Sequence, residues 1–546
     1  MAISDMPRST DHAAPPPRAH LANVSIYAQG RSAAAAMAEH GIAEATKMAS
    51  NEVPFGPLPG VTEAVAGAMV DAYRYADHQA DDLAAAYAAT IGVPRDHVAV
   101  GPGSVGLLQQ LTLAYAGPGD QVLYPWPSFI AYPQFSGIVV AEQVVVPLRR
   151  QSIDVDAVLA AITERTKVIF IANPNNPVSG ALRRADMQRL VDEVPRTCLL
   201  VIDEAYREFV TGADVPDALT YLDEHPNVVV LRTLSKAYGM AALRVGFLIA
   251  DPTVVAAVYA TLIPFAVNGP AQAGAMVALT QRDEVERRCA LVVAERGRVA
   301  QILRRSGLGL PEAQGNFWWL PAGPKSGDLA VALEQRGVVV RAFPTGIRVT
   351  VGTWDENDRF LDALTSVRAT NPDITDQWAL PTGDRAVQTA VLLDRLDGAL
   401  ERLRKHAAVD HDGLTRPVPG ESERWDDGQV WAHMAEFGDY WLAELNNLLD
   451  AASHEPMPFG RTRRDAGRIA AIETGRDRDV TEHLTTIERS ADRLRALLAE
   501  LSDADWSRAG AHETLGAMDI DRQLDDFHIG HYEQHADQLD ELTPGR

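Results

Sequence analysis

The sequence predicts an α/β protein built on a doubly wound sheet, followed by a smaller α/β unit and an all-helical last third. Three observations lead there. Short β-branched runs alternate with helical stretches as far as about residue 285, and several runs end in polar residues suited to chemistry. From about residue 290 the alternation continues in shorter segments, and beyond residue 385 apolar residues recur with helical period.

The 546 residues fit two or three domains, and an apolar fraction of 46% supports large cores. A net charge of −24, from 50 basic and 74 acidic residues, argues against nucleic acid and anionic membranes as partners. Only Cys198 and Cys289 are present, so neither a disulfide framework nor a cysteine zinc site is expected. With no secretory leader pattern and no apolar run of membrane length, the expected compartment is the cytoplasm.

In chain order, residues 1–20 are rich in Ala, Pro, Ser and Asp and read as a disordered arm. Tyr27 lies in the segment that follows. Residues 48–60, including Asn51, are crowded with turn formers and read as a shaped loop, at the surface or walling a site. Tyr75 precedes a helix running through Leu83 to Thr90. Val98-Ala99-Val100 leads through Gly101, Gly103, Ser104, Val105 and Gly106 into an apolar helix, Leu107–Tyr115. Such a loop exposes unpaired N–H groups that bind anions, or it is only structural. A strand at Gln121–Tyr124 is followed by Trp126, Phe129 and Tyr132, placed to sandwich a ring or to pack a core.

Three further strands each end in polar residues. Lys167–Ala172 runs into Asn173-Pro174-Asn175-Asn176-Pro177, Cys198–Ile202 into Asp203-Glu204-Ala205-Tyr206, and Asn227–Leu231 into Ser235-Lys236. A lysine so placed, with Ser235 before it and Arg244 eight residues on, suits an aldehyde that carries a phosphate. An aspartate ending a buried strand is costly unless paired; Asp203 pairs with a pyridinium nitrogen or caps a helix. A helix at Val293–Leu303, then Gly315–Leu320 with Asn316, Gly337–Arg341 and Gly346–Gly352, make up the smaller unit. Arg348, between Ile347 and Val349, would face solvent or fork a substrate carboxylate.

In the last third, Leu392, Leu396, Leu400 and Leu403 mark one helix face. Val430, Met434, Phe437, Trp441 and Leu445 mark a second, and Leu484, Ile487, Ala491, Leu494 and Leu498 a third. A fourth helix is expected over Met518–Leu539, giving a four-helix bundle. His433 sits on the second helix. His528, His531 and His535 are spaced i, i+3 and i+7 along the fourth.

Taken together, the Asn173–Pro177 run, Asp203–Tyr206, Ser235-Lys236 with Arg244, and Arg348-Val349-Thr350-Val351-Gly352 resemble the pyridoxal-phosphate aminotransferases of the aspartate-aminotransferase fold. The resemblance spans residues 21 to 367. It is narrowest for the histidinol-phosphate and aromatic amino acid branch, with residues 51–59 and 103–110 most similar to its actinobacterial aromatic members. It implies a large mixed-sheet domain (about 45–285), a small α/β domain (about 286–367, with the N-terminal segment), a linker at 368–385 and a homodimer.

Roles carry over residue by residue. Lys236 would form the Schiff base and move the substrate's α-proton. Asp203 would meet the ring nitrogen, Asn176 and Tyr206 the phenolic oxygen, and Phe129 the ring face. Ser104, Val105, Ser235, Arg244 and Tyr75 of a second subunit would hold the phosphate. Arg348 would clamp the substrate carboxylate with Asn316 nearby, and Tyr27, Asn51 and Arg341 would line the side-chain pocket. Two positions depart from the family pattern: Ala76 replaces a proline, and Ala242 replaces a glycine where backbone can approach closely. The implied reaction is ping-pong transamination between an aromatic amino acid or histidinol phosphate and a 2-oxo acid such as 2-oxoglutarate.

Residues 386–546 resemble the DinB-like and thiol-dependent maleylpyruvate isomerase family through Trp425, Trp431-Ala432-His433 and Gly530–Leu539. That resemblance implies a divalent metal, zinc, on His433, His531 and His535. Two other functions stay open from the sequence: a decarboxylase or lyase on the same first fold, and a thiol-dependent transferase or sensor in the helical third.

Overall fold

The computed structural model describes residues 17–24, 30–371 and 385–542, apart from 150, 213, 307, 309, 410, 412, 416–423, 451–456, 462–464, 507 and 513–515. Tyr27, most of the expected arm and most of the expected linker lie outside the described residues. The chain divides into two compact units, Met1–Leu380 and Pro381–Arg546.

In the first unit, β1 (Thr46–Lys47) precedes the seven strands of the main sheet. These are β2 (Val98–Pro102), β3 (Gln121–Trp126), β4 (Glu142–Pro147), β5 (Thr166–Ala172), β6 (Leu199–Asp203), β7 (Val228–Thr233) and β8 (Val245–Ile249). Their order is β2-β8-β7-β6-β5-β3-β4. All neighbours run parallel except β8, which is antiparallel to both β2 and β7, so the sheet is mixed.

The strands read as unbroken apolar runs because both faces are covered. Ile169, Ile171, Leu200, Ile202, Val228 and Val230 point into one core, and Val168, Phe170, Leu199, Val201, Val229 and Leu231 into the other. Period-two alternation thus supplies two helix-covered faces from one sequence. The register pairs Ala172 with Asp203 and Asp203 with Leu231, which brings the polar residues that follow β5, β6 and β7 to one edge.

The smaller α/β part pairs β12 (Gly346–Thr350) with both β9 (Phe317–Leu320) and β11 (Arg341–Phe343), antiparallel throughout. Strand β10 (Val338–Val339) pairs in parallel with β1, and Thr350 N–H donates to Met48 O, tying the N-terminal segment to this part. A helix over Trp354–Thr370 starts at a capping box formed by Thr353 and Glu356.

In the second unit, long helices span Arg385–His406, Asp427–Asp450 and Val480–Glu500, with a shorter one at Gly530–Leu542. Their apolar faces, including Leu396, Leu400, Met434, Leu445, Ile487 and Leu494, close one core. The unit is not wholly helical, and the expected helix over Met518–Leu539 is replaced by several elements. A three-stranded sheet joins β13 (Met457–Phe459), β14 (Ala509–His512) and β15 (Gly516–Asp519). Helix then begins at Ile520, passes through a π turn at Asp525–Ile529 and resumes at Gly530. Small residues explain the strands: a Cβ on Gly510 would lie 2.7 Å from the Phe459 ring, so only glycine lets β14 approach β13. No helix among the described residues is long and apolar enough to cross a membrane.

One buried ion pair braces the edge where the strands end. Arg232 in β7 donates through Nε to Glu204 (2.8 Å), just past β6, and through Nη2 to Asp217 (2.8 Å). Glu204 also accepts from Ala218 N–H (3.1 Å), and its side chain is wholly buried. Removing one partner of such a pair strands the other charge in the core. Arg232→Met should therefore lower the first unit's stability by about 3–5 kcal/mol, read from its urea midpoint, and adding Glu204→Gln should restore part of the loss.

Candidate active site

Strand β7 delivers Lys236 to the polar edge. Just before it, Thr233 Oγ1 donates to Ser235 Oγ (2.9 Å) and accepts from Ser235 N–H (3.1 Å), shaping the turn. Lys236 Nζ donates to Ser50 O at 3.1 Å. Burial, then the neighbouring Arg348 guanidinium, push its pKa down to about 7. Arg348 comes from β12 and is buried. It donates through Nη1 to Asn176 Oδ1 and through Nη2 to Ala49 O, both at 2.6 Å. An amine and a guanidinium therefore rest on two successive backbone carbonyls.

Asp203 ends β6 and is buried. Its Oδ1 accepts from Ala205 N–H (3.2 Å), and its Oδ2 accepts from Tyr132 Oη (3.3 Å). It thus makes a cap-like bond and still presents a carboxyl group at the edge. Burial lifts its pKa to about 6, against the pull of those two hydrogen bonds. A cationic hydrogen-bond donor beside it would restore the carboxylate.

The helix following β2 starts at Gly103, so the N–H groups of Ser104 and Val105 belong to its unpaired first turn. Arg244, at the start of β8, donates to Ser235 Oγ (3.1 Å) and closes the same corner. Gly103 suits this corner: φ is +76°, and an added Cβ would lie 2.3 Å from Arg244 Nη2 and displace that guanidinium. Ala242 is exposed, so its methyl group does not crowd the turn.

Around these groups, Tyr206 Oη accepts from Asn51 Nδ2 (2.9 Å), and Lys236 Nζ stands 5.8 Å from the Tyr206 ring centre. Asn316 Nδ2 donates to Asn51 O (3.1 Å), while Asn316 Oδ1 is buried with no hydrogen-bond partner among the described residues. Phe129 packs edge-on against Tyr132 at 5.6 Å. Arg341 pairs in register with Arg348 and lies 5.9 Å from the Phe343 ring. Tyr75 is not gathered in: it is 84% exposed, its ring stacked on Phe265 at 4.5 Å.

Sequence reasoning gave no role to Thr350 or the carbonyls of Ala49 and Ser50, and it named Tyr132 for ring stacking or core packing rather than as a partner of Asp203. Tyr132 was signalled only as the last aromatic after β3, and a carbonyl carries no residue-type signal. The donor set fits pyridoxal phosphate: a depressed amine for the aldehyde, a buried carboxyl group for the ring nitrogen, and a glycine-floored N–H and arginine corner for the phosphate.

In the second unit, His433, His531 and His535 are buried, with ligating nitrogens all within 4.8 Å of one another. His531 and His535 lie one helical turn apart and face His433 on the helix Asp427–Asp450. Neither His433 Nδ1 nor His531 Nε2 has a hydrogen-bond partner among the described residues, and His535 Nδ1 meets Gln538 Oε1 at 2.6 Å. Burial holds all three below the usual histidine range, His535 at about 4, so each keeps an unprotonated nitrogen near neutral pH. His528 falls in the π turn, whose wider pitch changes its phase, and it is not part of the cluster.

The family profile described as aminotransferase class I and II matches residues 43–364. An aromatic amino acid aminotransferase of Thermobifida fusca is 50% identical over 316 residues, 58% of this chain and 88% of that protein. One from Streptomyces coelicolor is 48% identical, covering 63% and 95%. Among solved structures, histidinol-phosphate aminotransferase of Sinorhizobium meliloti with pyridoxal 5'-phosphate aligns at TM-score 0.58 and 28% identity, covering 63% of this chain and 96% of that one. Aspartate aminotransferase of Thermotoga maritima shares the fold, at TM-score 0.57 and 20% identity, covering 64% and 100%. Through residues 43–364 the chain belongs to the class I and II aminotransferases, pyridoxal-phosphate enzymes that carry out transamination.

Proposed function

We propose that the first unit transaminates an aromatic amino acid, phenylalanine or tyrosine, with a 2-oxo acid such as 2-oxoglutarate as acceptor. The carrying observation is that Lys236 Nζ and the Arg348 guanidinium rest on the adjacent carbonyls of Ser50 and Ala49. A reactive amine and a carboxylate fork at that spacing suit an α-amino acid. The aromatic choice over histidinol phosphate follows the relatives that are 42–50% identical.

Pyridoxal phosphate supplies an aldehyde that receives the amino group and a ring that draws electrons from the substrate's α-carbon. The chain's residues do the rest. Arg348 exchanges Ala49 O for the substrate carboxylate, a stronger, charge-assisted partner. Lys236, neutral near pH 7, takes the α-proton on Nζ and returns it on the other side of the reaction. Asp203 would accept a hydrogen bond from the ring nitrogen, and Tyr206 and Asn176 would serve the phenolic oxygen. Ser104 and Val105 N–H, Ser235 and Arg244 would hold the phosphate. The dimer would add Tyr75 from a second subunit, and the exposure of Tyr75 beside Ile263 and Phe265 suits an interface role. Phe129 against the ring, with Asn51, Asn316 and Arg341 toward the side chain, complete the assignment. The enzyme would work in the cytoplasm, where its two buried thiols stay reduced.

For the second unit, we propose a DinB-like four-helix bundle in which His433, His531 and His535 hold a divalent metal such as zinc, leaving a position open. The unpartnered nitrogens within 4.8 Å favour it.

Three outcomes are expected. Phenylalanine added to the loaded enzyme should convert the cofactor to its amino form, read by absorbance, and Lys236→Ala should abolish turnover. Absence of conversion with either phenylalanine or tyrosine would reject the substrate. Uptake of pyridoxal phosphate by the apoprotein needs neutral Lys236, so its rate should rise with pH up to about 7 and then level off. A rise continuing through pH 9 would mean an unperturbed lysine. Elemental analysis should find roughly one zinc ion per chain and little in His531→Ala; equal metal in both would reject the site.

A further inference from the structure

Thr350 ends β12 two residues after Arg348, is buried, and bonds Asn51 twice. Its Oγ1 accepts from Asn51 N–H (2.9 Å) and donates to Asn51 Oδ1 (3.2 Å). With Oγ1 already accepting from Asn51 N–H, the hydroxyl's one proton goes to Oδ1, and turning the amide would take that acceptor away; this favours the end of the Asn51 amide that faces Thr350. The opposite end, Nδ2, then donates to Tyr206 Oη at 2.9 Å. Turned by half a revolution, the same amide would offer a carbonyl oxygen and draw the phenol's proton toward itself. Asn51 also sits at a φ of +54°, and its backbone is held there from both sides, by Thr350 on N–H and by Asn316 on O.

We propose that Thr350 is a positioning residue for the transamination. Its hydroxyl orients the Asn51 amide, which obliges the Tyr206 phenol to accept from Asn51 and to direct its own proton at the phenolic oxygen of bound pyridoxal phosphate. This rests on the reading of Tyr206 given above. Each element of the relay comes from a different part of the chain: the N-terminal strap, the loop after β6 and the last strand of the small sheet. The hydroxyl of Thr350 is what makes their polarity unique, since a valine of the same shape would fill the space and leave the amide free to turn.

A donor aimed at the phenolic oxygen favours its charged form. Weakening that donor should move the pH titration of the bound cofactor's visible band upward, in the absence of substrate and turnover. With the full-length loaded enzyme, Thr350→Val should shift the midpoint by on the order of half to one pH unit. Thr350→Ser should titrate with the wild type, and Tyr206→Phe should shift at least as far as the valine variant. Should Thr350→Val not yield folded, loaded enzyme, Thr350→Ala removes the same hydroxyl and carries the same expectation. A titration unchanged in the variant lacking the hydroxyl, with Tyr206→Phe shifted, overturns the proposal and leaves the Tyr206 reading standing. A shift in Thr350→Ser equal to that in Thr350→Val overturns it too, because packing would then be responsible. No shift in Tyr206→Phe removes the Tyr206 reading and the proposal with it.

Discussion

Desolvation of ionisable groups at the end of the central strands is the constraint on which the first unit depends. Asp203 and Lys236 leave water when the sheet closes over them, and burial disfavours the charged form of each. The carboxyl rises to about 6 and the amine falls to about 7, so two groups that differ widely in water come to lie close together near neutrality. Such a pair is costly in an empty protein and useful in a loaded one. A cationic ring nitrogen would restore charge to Asp203, while Lys236 stays available as a base. The fold limits the cost with Tyr132 and Ala205 on the carboxyl group.

The strap at Ala49, Ser50 and Asn51 resolves a second difficulty. Arg348 is a buried cation close enough to Lys236 to lower the proton affinity of its amine, and both groups need hydrogen-bond acceptors. Three successive backbone carbonyls of the strap accept from Arg348, Lys236 and Asn316. A carbonyl is a partner that a carboxylate can displace, because a charge-assisted bond exceeds a neutral one. The strap is joined to the small α/β part through β1 and β10 and through Thr350 N–H to Met48 O. The carbonyl partner of Arg348 is therefore anchored to the smaller sheet as well as to the site.

Much of this was legible in the sequence, for identifiable reasons. Buried parallel strands have an unmistakable composition, so Lys167–Ala172, Cys198–Ile202 and Asn227–Leu231 marked β5, β6 and β7 to within a residue or two. Parallel register then forces whatever follows them to one edge, which is why Asn176, Asp203 and Lys236 could be grouped before any coordinates. The strap carbonyls were not legible, since every residue has one. Thr350 read as an ordinary β-strand residue, because its partner is far away in sequence and only the fold brings them together. Met518 was placed in a helix by its apolar neighbours, whereas antiparallel pairing with Gly510 in β14 makes it a strand residue. His528 shared a spacing with His531 and His535 that holds for an α-helix and fails across a π turn.

The two units apply one physical rule to different ends. In the first, burial lowers the proton affinity of an amine so that it can act as a base near pH 7. In the second, burial among Trp425, Phe437 and the neighbouring helices lowers that of three imidazoles, and it does so further because they crowd one another. A lone histidine in such surroundings would satisfy its nitrogens with a carbonyl, as His483 does with Gly475 O at 2.9 Å. His433 and His531 instead each have a buried nitrogen with no partner among the described residues, which costs free energy unless something binds there. A proton is the wrong occupant, because it would bring an unpaired charge close to two others. A divalent ion is the better one, since a single centre then satisfies all three lone pairs at once.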